Sequence, residues 1–398
     1  NLDKHSLDFV SNNFLGVGKH DVPAIRMFKA FESQDVEEMT IVTKYCVQDA
    51  ELVTNLFDKL NVWIGLVEMS NIVGVEIMEL STRGQQPRCL SQIYDLTAKL
   101  GIVINSREMP KIPYEGGFVG DPIVGIHDGV ICLDFSSLYP SIMMAYNICY
   151  TTLVSPAIAR FISDDMCNII KIDEKTTYRF VKKEIFEGIL PRLVAKLVKS
   201  RKAVRAKMGE IKKQLGIHED GSVIPTNLPK DVRQTLELTL KVLDKRQNGL
   251  KISANSMYGF LGVQEGGKLP LIEGASAITS WGRQLINEVN NRLKREYGAI
   301  VVYNDTDSSM VKIPGVDDPL ECYKMGIEIS EKISGRLQKI LPDGTILPAL
   351  EPWFPPPLKM EFEKAMRIFC IAKKMYAYYS IGEDGKFVID NKTGLKKI

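Results

Sequence analysis

The stretch Val130-Ile131-Cys132-Leu133-Asp134-Phe135-Ser136-Ser137-Leu138-Tyr139-Pro140-Ser141 sets an acid directly behind an apolar run and follows it with a small polar turn. Upstream, Ile123–Ile126 and Asp128-Gly129 read as an arm and a turn, so residues 123–135 are expected to form a β-hairpin. A second strand-turn-strand is expected at residues 299–313, with Tyr303-Asn304-Asp305-Thr306-Asp307-Ser308 at its turn. Carboxylates two residues apart in extended chain face the same way. If the two hairpins neighbour one another in a sheet, Asp134, Asp305 and Asp307 meet at one edge. Such a set suits a pair of divalent cations roughly 3.5–4 Å apart and in-line phosphoryl displacement. Taken alone, Asp-Thr-Asp is more often a solvated turn.

Composition says less. The chain has 398 residues, 45% of them apolar and 25% charged, with a net charge of +2. These are ordinary values for a globular protein of one to three domains, and a balanced total neither supports nor excludes nucleic-acid binding. Seven scattered cysteines without a C-x-x-C pair read as reduced thiols, and four dispersed histidines offer no metal cluster. No apolar run reaches the roughly 18 residues of a membrane span, and no signal peptide is visible.

Residues 35–80 carry helical periodicity, with Ile41, Tyr45, Leu52 and Leu56 as expected core positions. Gly and Pro over residues 110–122 read as a linker or fixed turn. Two long helical patterns at 188–216 and 231–258 read as an antiparallel helical hairpin. On the first, Arg201 and Arg205 share a face, and on the second, Lys251 and Asn255 do, with Tyr258 nearly a turn further on. Residues 343–357 read as loop, and 358–364 and 375–381 as strands. The mixture predicts an α+β fold, a sheet interrupted by a helical insertion.

Three of these strings also resemble the motifs of family B DNA polymerases, in order. Asp134 to Ser141 resembles Asp-x-x-Ser-Leu-Tyr-Pro-Ser, Lys251 to Gly259 resembles Lys-x-x-x-Asn-Ser-x-Tyr-Gly, and Tyr303 to Ser308 resembles Tyr-Gly-Asp-Thr-Asp-Ser, with Asn304 where Gly is usual. Tyr114-Glu115-Gly116-Gly117 is similar to the Tyr-x-Gly-Gly link, Lys373-Lys374-Met375-Tyr376 to Lys-Lys-x-Tyr, and Tyr45 with Asp49 to the third exonuclease motif, Tyr-x-x-x-Asp.

The resemblance implies a right-hand palm with helical-hairpin fingers, behind the C-terminal end of an RNase H-like exonuclease domain. The expected divisions are 1–65 exonuclease, 66–187 linker and first part of the palm, 188–262 fingers, 263–375 second part of the palm, and 376–398 the start of a thumb. It implies template-directed primer extension with deoxynucleotides on primer-template DNA, using two Mg²⁺ ions with Mn²⁺ as substitute. Asp134, Asp305 and Asp307 would be catalytic, and Asp134, Phe135 and Asp307 would hold metal. Ser136, Ser137, Leu138, Arg201, Arg205, Lys251, Asn255 and Tyr258 would bind the nucleotide, and Tyr139 would exclude a 2′-hydroxyl. Arg205 stands where Lys is common. Tyr114, Gly116, Gly117, Gly259, Lys373, Lys374 and Tyr376 would contact DNA, with Gly259 expected where no side chain fits.

Tyr45 and Asp49 alone do not make a two-metal exonuclease site. The chain begins at Asn1 rather than Met and ends soon after Tyr376, so it reads as an internal fragment whose parent proofreads. Strings such as Phe14-Leu15-Gly16 and Lys374-Met375-Tyr376-Ala377-Tyr378 are similar to polymerases of large DNA viruses of eukaryotes. Such a protein would work inside the cell, in the host nucleus or at a cytoplasmic viral replication site, away from membranes and with a processivity clamp or accessory factor. Two other readings stay open: an RNA-templated polymerase, whose paired Asp-Asp turn is absent here, and a degenerate polymerase kept as a scaffold, which predicts loss of Asp134 or Asp307.

Overall fold

A computed structural model describes residues 4–104, 112–218, 223–336, 338–340 and 346–389. Pro110 and Lys111 of the expected linker, residues 343–345 and the tail from 390 lie outside the described residues. In chain order the elements are α1 (Leu7–Leu15), α2 (Ala24–Ser33), α3 (Val36–Lys59), α4 (Val62–Val73), α5 (Ile77–Thr82), α6 (Gln85–Leu100), β1 (Gly125–Phe135), α7 (Leu138–Ala145), β2 (Cys167–Lys171) and β3 (Thr177–Val181). Then come α8 (Ile189–Leu215), α9 (Lys230–Leu261), α10 (Ile272–Tyr297), β4 (Ile300–Asp305), β5 (Ser308–Lys312), α11 (Pro319–Ser334), β6 (Lys339–Ile340), β7 (Ile346–Leu347), β8 (Met360–Ala372) and β9 (Met375–Ile381). The fold is α+β, as expected. Among the described residues no helix is long and apolar enough to cross a membrane, and all seven cysteines are free thiols.

The chain forms two compact units, Asn1–Gly84 with Ser200–Lys251, and Gln85–Lys199 with Ile252–Ile398. The first is helical. The Asp35 side chain caps α3 by accepting from the amide of Glu38 at 2.9 Å. Arg26 of α2 grips Glu38 with two bonds of 2.7 and 2.9 Å. Of the expected core positions on α3, Leu52 is buried and Tyr45 and Leu56 are half-buried, but Ile41 is exposed. Periodicity identifies the apolar stripe without saying how far a neighbour covers it. The α8 and α9 portions pack through Ile211, Leu215 and Leu243, with Met208, Leu236 and Leu240 around them, as expected of the helical hairpin. Gly249 of α9 lies against α4, where a Cβ would come within 2.8 Å of Ile72 Cδ1.

The second unit is built on an antiparallel five-stranded sheet in the order β4-β5-β1-β8-β9. Central β1 has Val130, Ile131, Cys132 and Leu133 all buried, as a strand covered on both faces requires. Alternation divides it: Val130 and Cys132 join Val302, Met310, Met366 and Ile368 in one cluster, whereas Ile131 lies with Phe362 against Gly326 of α11.

The structure corrects two strand expectations. Residues 123–135 are not a hairpin: Gly125–Phe135 is one strand, whose pairing with β8 shifts register between His127 and Val130. Asp128-Gly129 is a bulge, with Gly129 at φ +65° and Asp128 paired with Arg367 of β8. Bulges and turns both select a residue that tolerates positive φ, so the dipeptide suits either. Likewise β8 runs on to Ala372, well past 364, and a tight turn at Lys373-Lys374 leads into β9. The sheet therefore continues across residues 375 and 376, where the start of a thumb is expected.

Candidate active site

Strand pairing places the carboxylates. Asp134 stands opposite Ser308, and Ser308 opposite Asp305, so these side chains share one rung and one face of the sheet. Asp307 sits in the turn, its amide donating to the Asp305 carbonyl at 2.7 Å while its own carbonyl accepts from the Phe135 amide at 2.9 Å. Thr306 between them has φ +56°, a strained setting for a β-branched residue that costs about 1–3 kcal/mol. Its amide donates to Phe118 O at 2.8 Å, and Ser308 Oγ donates to Asp305 O at 3.2 Å. A cavity of about 400 Å³ opens over this face, lined by Cys132, Asp134, Asp305, Asp307 and Glu363 among others.

The electrostatics of that cavity are acidic. Burial, then the charges of Asp307, Glu363 and Glu361, push the Asp134 carboxyl up to about 7. Burial, with Asp305 and Glu363 adding to it, raises Asp307 as well. Asp305 behaves differently: both its oxygens are bound by Lys374 Nζ, at 2.7 and 2.9 Å. The three acids therefore converge as expected, but Asp305 is engaged by a cation of the β8–β9 turn. Among the described residues no group of three or more His, Cys, Asp or Glu side chains is arranged to hold a metal ion. The donors nevertheless fit a hard divalent cation, since they are all oxygen, and added positive charge would relieve the repulsion that raises Asp134 and Asp307. Phe135 has a buried side chain 5.8 Å from the Phe354 ring, so only its carbonyl could serve as a ligand.

These shifts predict a pH signature. The native state holds the Asp134 proton up to about pH 7, whereas the ordinary value is 3.8, so it binds more protons than the unfolded chain between those values. Stability from this group falls as pH rises through that window. Melting in EDTA should show the decline, and millimolar Mn²⁺ should stabilise more at pH 8 than at pH 5. Equal stabilisation at both would count against a carboxylate site.

Beyond the acids, β1 turns at Ser136-Ser137, with Ser137 at φ +52°, into α7. The Ser136 amide donates to Lys359 O at 2.9 Å, so it is not free for phosphate as expected. The amides opening α7 have no acceptor within the helix. Tyr139 packs on Tyr258 with ring centroids 4.3 Å apart. At Gly117 a Cβ would come within 2.5 Å of the Tyr139 hydroxyl and 3.1 Å of Thr306, and at Gly282 within 3.4 Å of the Tyr139 ring. Tyr114 points its hydroxyl at Gly262. At Gly259, by contrast, a Cβ would meet nothing within 4 Å, so protein packing does not demand glycine there. Asn255 is exposed on α9.

Arg283 and Thr279 of α10 were not legible in the sequence. Arg283 Nη1 donates to Glu115 O at 2.9 Å and Gly116 O at 2.6 Å, and Thr279 Oγ1 donates to Glu115 O at 2.8 Å. They hold the Tyr114–Gly117 segment by its backbone, and no local pattern announces such partners. Glu363 was missed too, because one acid in a strand reads as ordinary alternation.

Lys373 pairs with Asp121 at 3.0 Å, and Lys374 with Asp305. Both lysines are largely exposed, and surface pairs of this kind contribute only about 0–1 kcal/mol, so a phosphate could compete. Tyr376 packs on Tyr303 at 5.5 Å and is half-buried in the sheet's cluster. In the helical unit, Arg201 is half-buried and bonded to Gln247 at 3.4 Å, while Arg205 and Lys251 are exposed. Burial, then the Arg205 charge, lowers the pKa of Arg201. In the same unit Lys19 pairs with Asp49 at 3.0 Å and lies over the Tyr45 ring at 4.7 Å.

Residues 75–218 and 229–396 match the family model of DNA polymerase family B. The chain is 32% identical to DNA polymerase 120R of Invertebrate iridescent virus 3, over 96% of this chain and 37% of that protein. It is 30% identical to the DNA polymerase of Red sea bream iridovirus, over 100% of this chain and 44% of the relative. It is 33% identical to the DNA polymerase delta catalytic subunit of Bos taurus, over 94% and 31%. The chain thus spans less than half the length of these relatives. The fold resembles that of the family B DNA polymerase from the archaeon Pyrobaculum calidifontis, with a TM-score of 0.60 at 24% identity, over 96% of this chain and 43% of that one.

Proposed function

Because the chain belongs to DNA polymerase family B, we propose that it forms the catalytic core of a DNA-directed DNA polymerase that extends a primer by two-metal nucleotidyl transfer. The observation that carries this reading is the rung of Asp134, Ser308 and Asp305 with Asp307 in the turn beside it. Asp134, Asp307 and the carbonyl of Phe135 would hold Mg²⁺, or Mn²⁺ in its place, and a bound pair of ions supplies Lewis acidity toward the attacking hydroxyl and the leaving pyrophosphate.

The chain's own residues would do the rest. The amides of Ser137 and Leu138 open a helix, where backbone donors and the helix dipole favour phosphate. Arg201, Arg205 and Lys251 bear no carboxylate partner among the described residues, which suits a triphosphate clamp. Asn255 and Tyr258 would flank the incoming nucleotide. Tyr114, Gly116, Gly117, Gly259 and Tyr376 would border the DNA, and Lys373 and Lys374 would exchange their acids for duplex phosphates, positioning without reading sequence. Incubating the full natural protein with primed DNA and each deoxynucleotide alone tests the reading. Addition of only the complementary nucleotide supports it, and addition irrespective of template, or none, contradicts it.

The spacing at Gly117 gives a sharper expectation. Gly117→Ala should force Tyr139 from its seat and lower kcat/KM by about 10- to 100-fold, the range that small misplacements cost. Single-nucleotide kinetics with Gly84→Ala as comparison check it, since a Cβ at Gly84 meets nothing within 4 Å.

Tyr45 and Asp49, one turn apart on α3, are proposed as part of a 3′–5′ proofreading site in the natural protein. One carboxylate does not complete a two-metal site. A mismatched primer end should therefore be trimmed by the full protein and less so by its Asp49→Asn variant.

A further inference from the structure

Position 304 is where the catalytic turn departs from the Tyr-Gly-Asp-Thr-Asp-Ser pattern, and its side chain is not idle. Asn304 is 3% exposed and lies one residue before Asp305, so it points to the opposite face of the sheet from the carboxylate rung. Its rung partner is Ser309, which pairs in turn with Leu133, the residue before Asp134. Asn304 Nδ2 donates to the Ser308 carbonyl at 3.1 Å. Asn290 of α10 donates from Nδ2 to Asn304 Oδ1 at 3.0 Å, and Asn290 Oδ1 accepts from Ser309 Oγ at 2.7 Å. The Ser308 carbonyl can only accept, so it fixes which way each amide faces. Asn290, Ser308 and Ser309 are all buried, which leaves water little access to substitute for a lost member.

The backbone closes the arrangement. Asn304 O accepts from the Gly120 amide at 3.1 Å, two residues from the Phe118 carbonyl that takes the Thr306 amide. The strained Thr306 is thus flanked on one side by a fixed amide ladder and on the other by the Asp307–Phe135 bond. Strain at such a position persists only where surrounding contacts over-determine it.

We propose that Asn304 is a positioning residue, whose buried amide, strung between Asn290 of α10 and the Ser308 carbonyl of β5, fixes the turn that carries Asp305 and presents Asp307 to the catalytic cations. It touches neither substrate nor metal and acts through the carboxylates on the other face. The proposal rests on the polymerase reading for its consequence in turnover but not for its physical readouts.

The test uses the full natural protein with Asn304→Gly, Asn304→Asp and Asn290→Ala. Mn²⁺ binding is measured by paramagnetic resonance, amide exchange is followed at residues 305–308, and single-nucleotide incorporation gives kcat and KM. Each variant that melts cooperatively should bind Mn²⁺ about fivefold or more weakly and exchange those amides faster, as loss of one member of a coupled network implies. kcat should fall about tenfold with KM for the nucleotide within about twofold, the pattern of an interaction felt in the transition state. Pairing Asn304→Gly with Asn290→Ala should add little to either alone. If Asn304→Gly does not fold, Asn290→Ala, which leaves β4 untouched, carries the same readouts. Wild-type Mn²⁺ affinity and exchange in any folded variant would overturn the proposal. Absence of extension by the unmutated protein would count against the polymerase reading alone, because metal binding and exchange need no turnover.

Discussion

Asp307→Asn is expected to lower primer extension by about 10³-fold or more, equivalent to about 4 kcal/mol of transition-state stabilisation, while the protein stays folded and binds duplex. Asp307 contributes its backbone to the sheet through the Phe135 amide, and that bond survives the substitution. Its side chain adds to the repulsion that raises Asp134. Removing the charge should therefore leave the metal-free protein as stable as the wild type or more so at pH 8. A catalytic loss paired with unchanged or raised melting temperature separates a lost ligand from a lost fold. Stopped-time extension assays and melting in EDTA measure both.

The second large effect concerns the sugar. Tyr139→Ala is expected to reduce discrimination between deoxynucleotides and ribonucleotides by about 100-fold, with deoxynucleotide use retained to within about tenfold; purely apolar contacts give a similar scale of discrimination. The ring is a rigid wall because three contacts hold it: Tyr258 at 4.3 Å, Gly117 at its hydroxyl and Gly282 at its edge. A wall excludes an added hydroxyl by overlap, and a cavity admits it. Competition between the two nucleotide types on one template measures the ratio. An unchanged ratio would place the sugar elsewhere.

These residues were legible because their chemistry is contiguous. Asp134 with its turn, and Asp305 with Asp307, sit in short strings where a strand period and a turn suffice to aim the carboxylates. The helical hairpin was legible from periodicity, since Met208, Ile211 and Leu215 on α8, and Leu236, Leu240 and Leu243 on α9, recur at spacings of three and four. Long-range partners were not. Lys374 reaches Asp305 across 69 positions, and Arg283 reaches the Gly116 carbonyl across 167; nothing in the local sequence of either names so distant a partner. At Asp128-Gly129 a bulge and a hairpin turn select the same dipeptide, and only the β8 pairing tells them apart. Asn304 was visible as a departure from the motif, but its meaning needed Asn290, which sits on a different element.

The engagement of Lys374 also bears on the order of events. With the lysine on Asp305, the β8–β9 turn is tied to the carboxylate turn. In the proposed reading, duplex phosphates offered to Lys373 and Lys374 would compete for the same ammonium groups, and DNA binding would then be coupled to the electrostatics of the acidic face through Lys374. Salt should weaken duplex binding accordingly, as counterion release requires.

The most direct test is primer extension by the full natural protein on a primed DNA template with all four deoxynucleotides, titrated with Mg²⁺ and run beside Asp307→Asn. Mg²⁺-dependent extension to the template end is expected from the wild type and essentially none from the variant, with both binding duplex equally. Tight duplex binding by the wild type without extension at any Mg²⁺ concentration would contradict it and favour a scaffold that retains the polymerase fold.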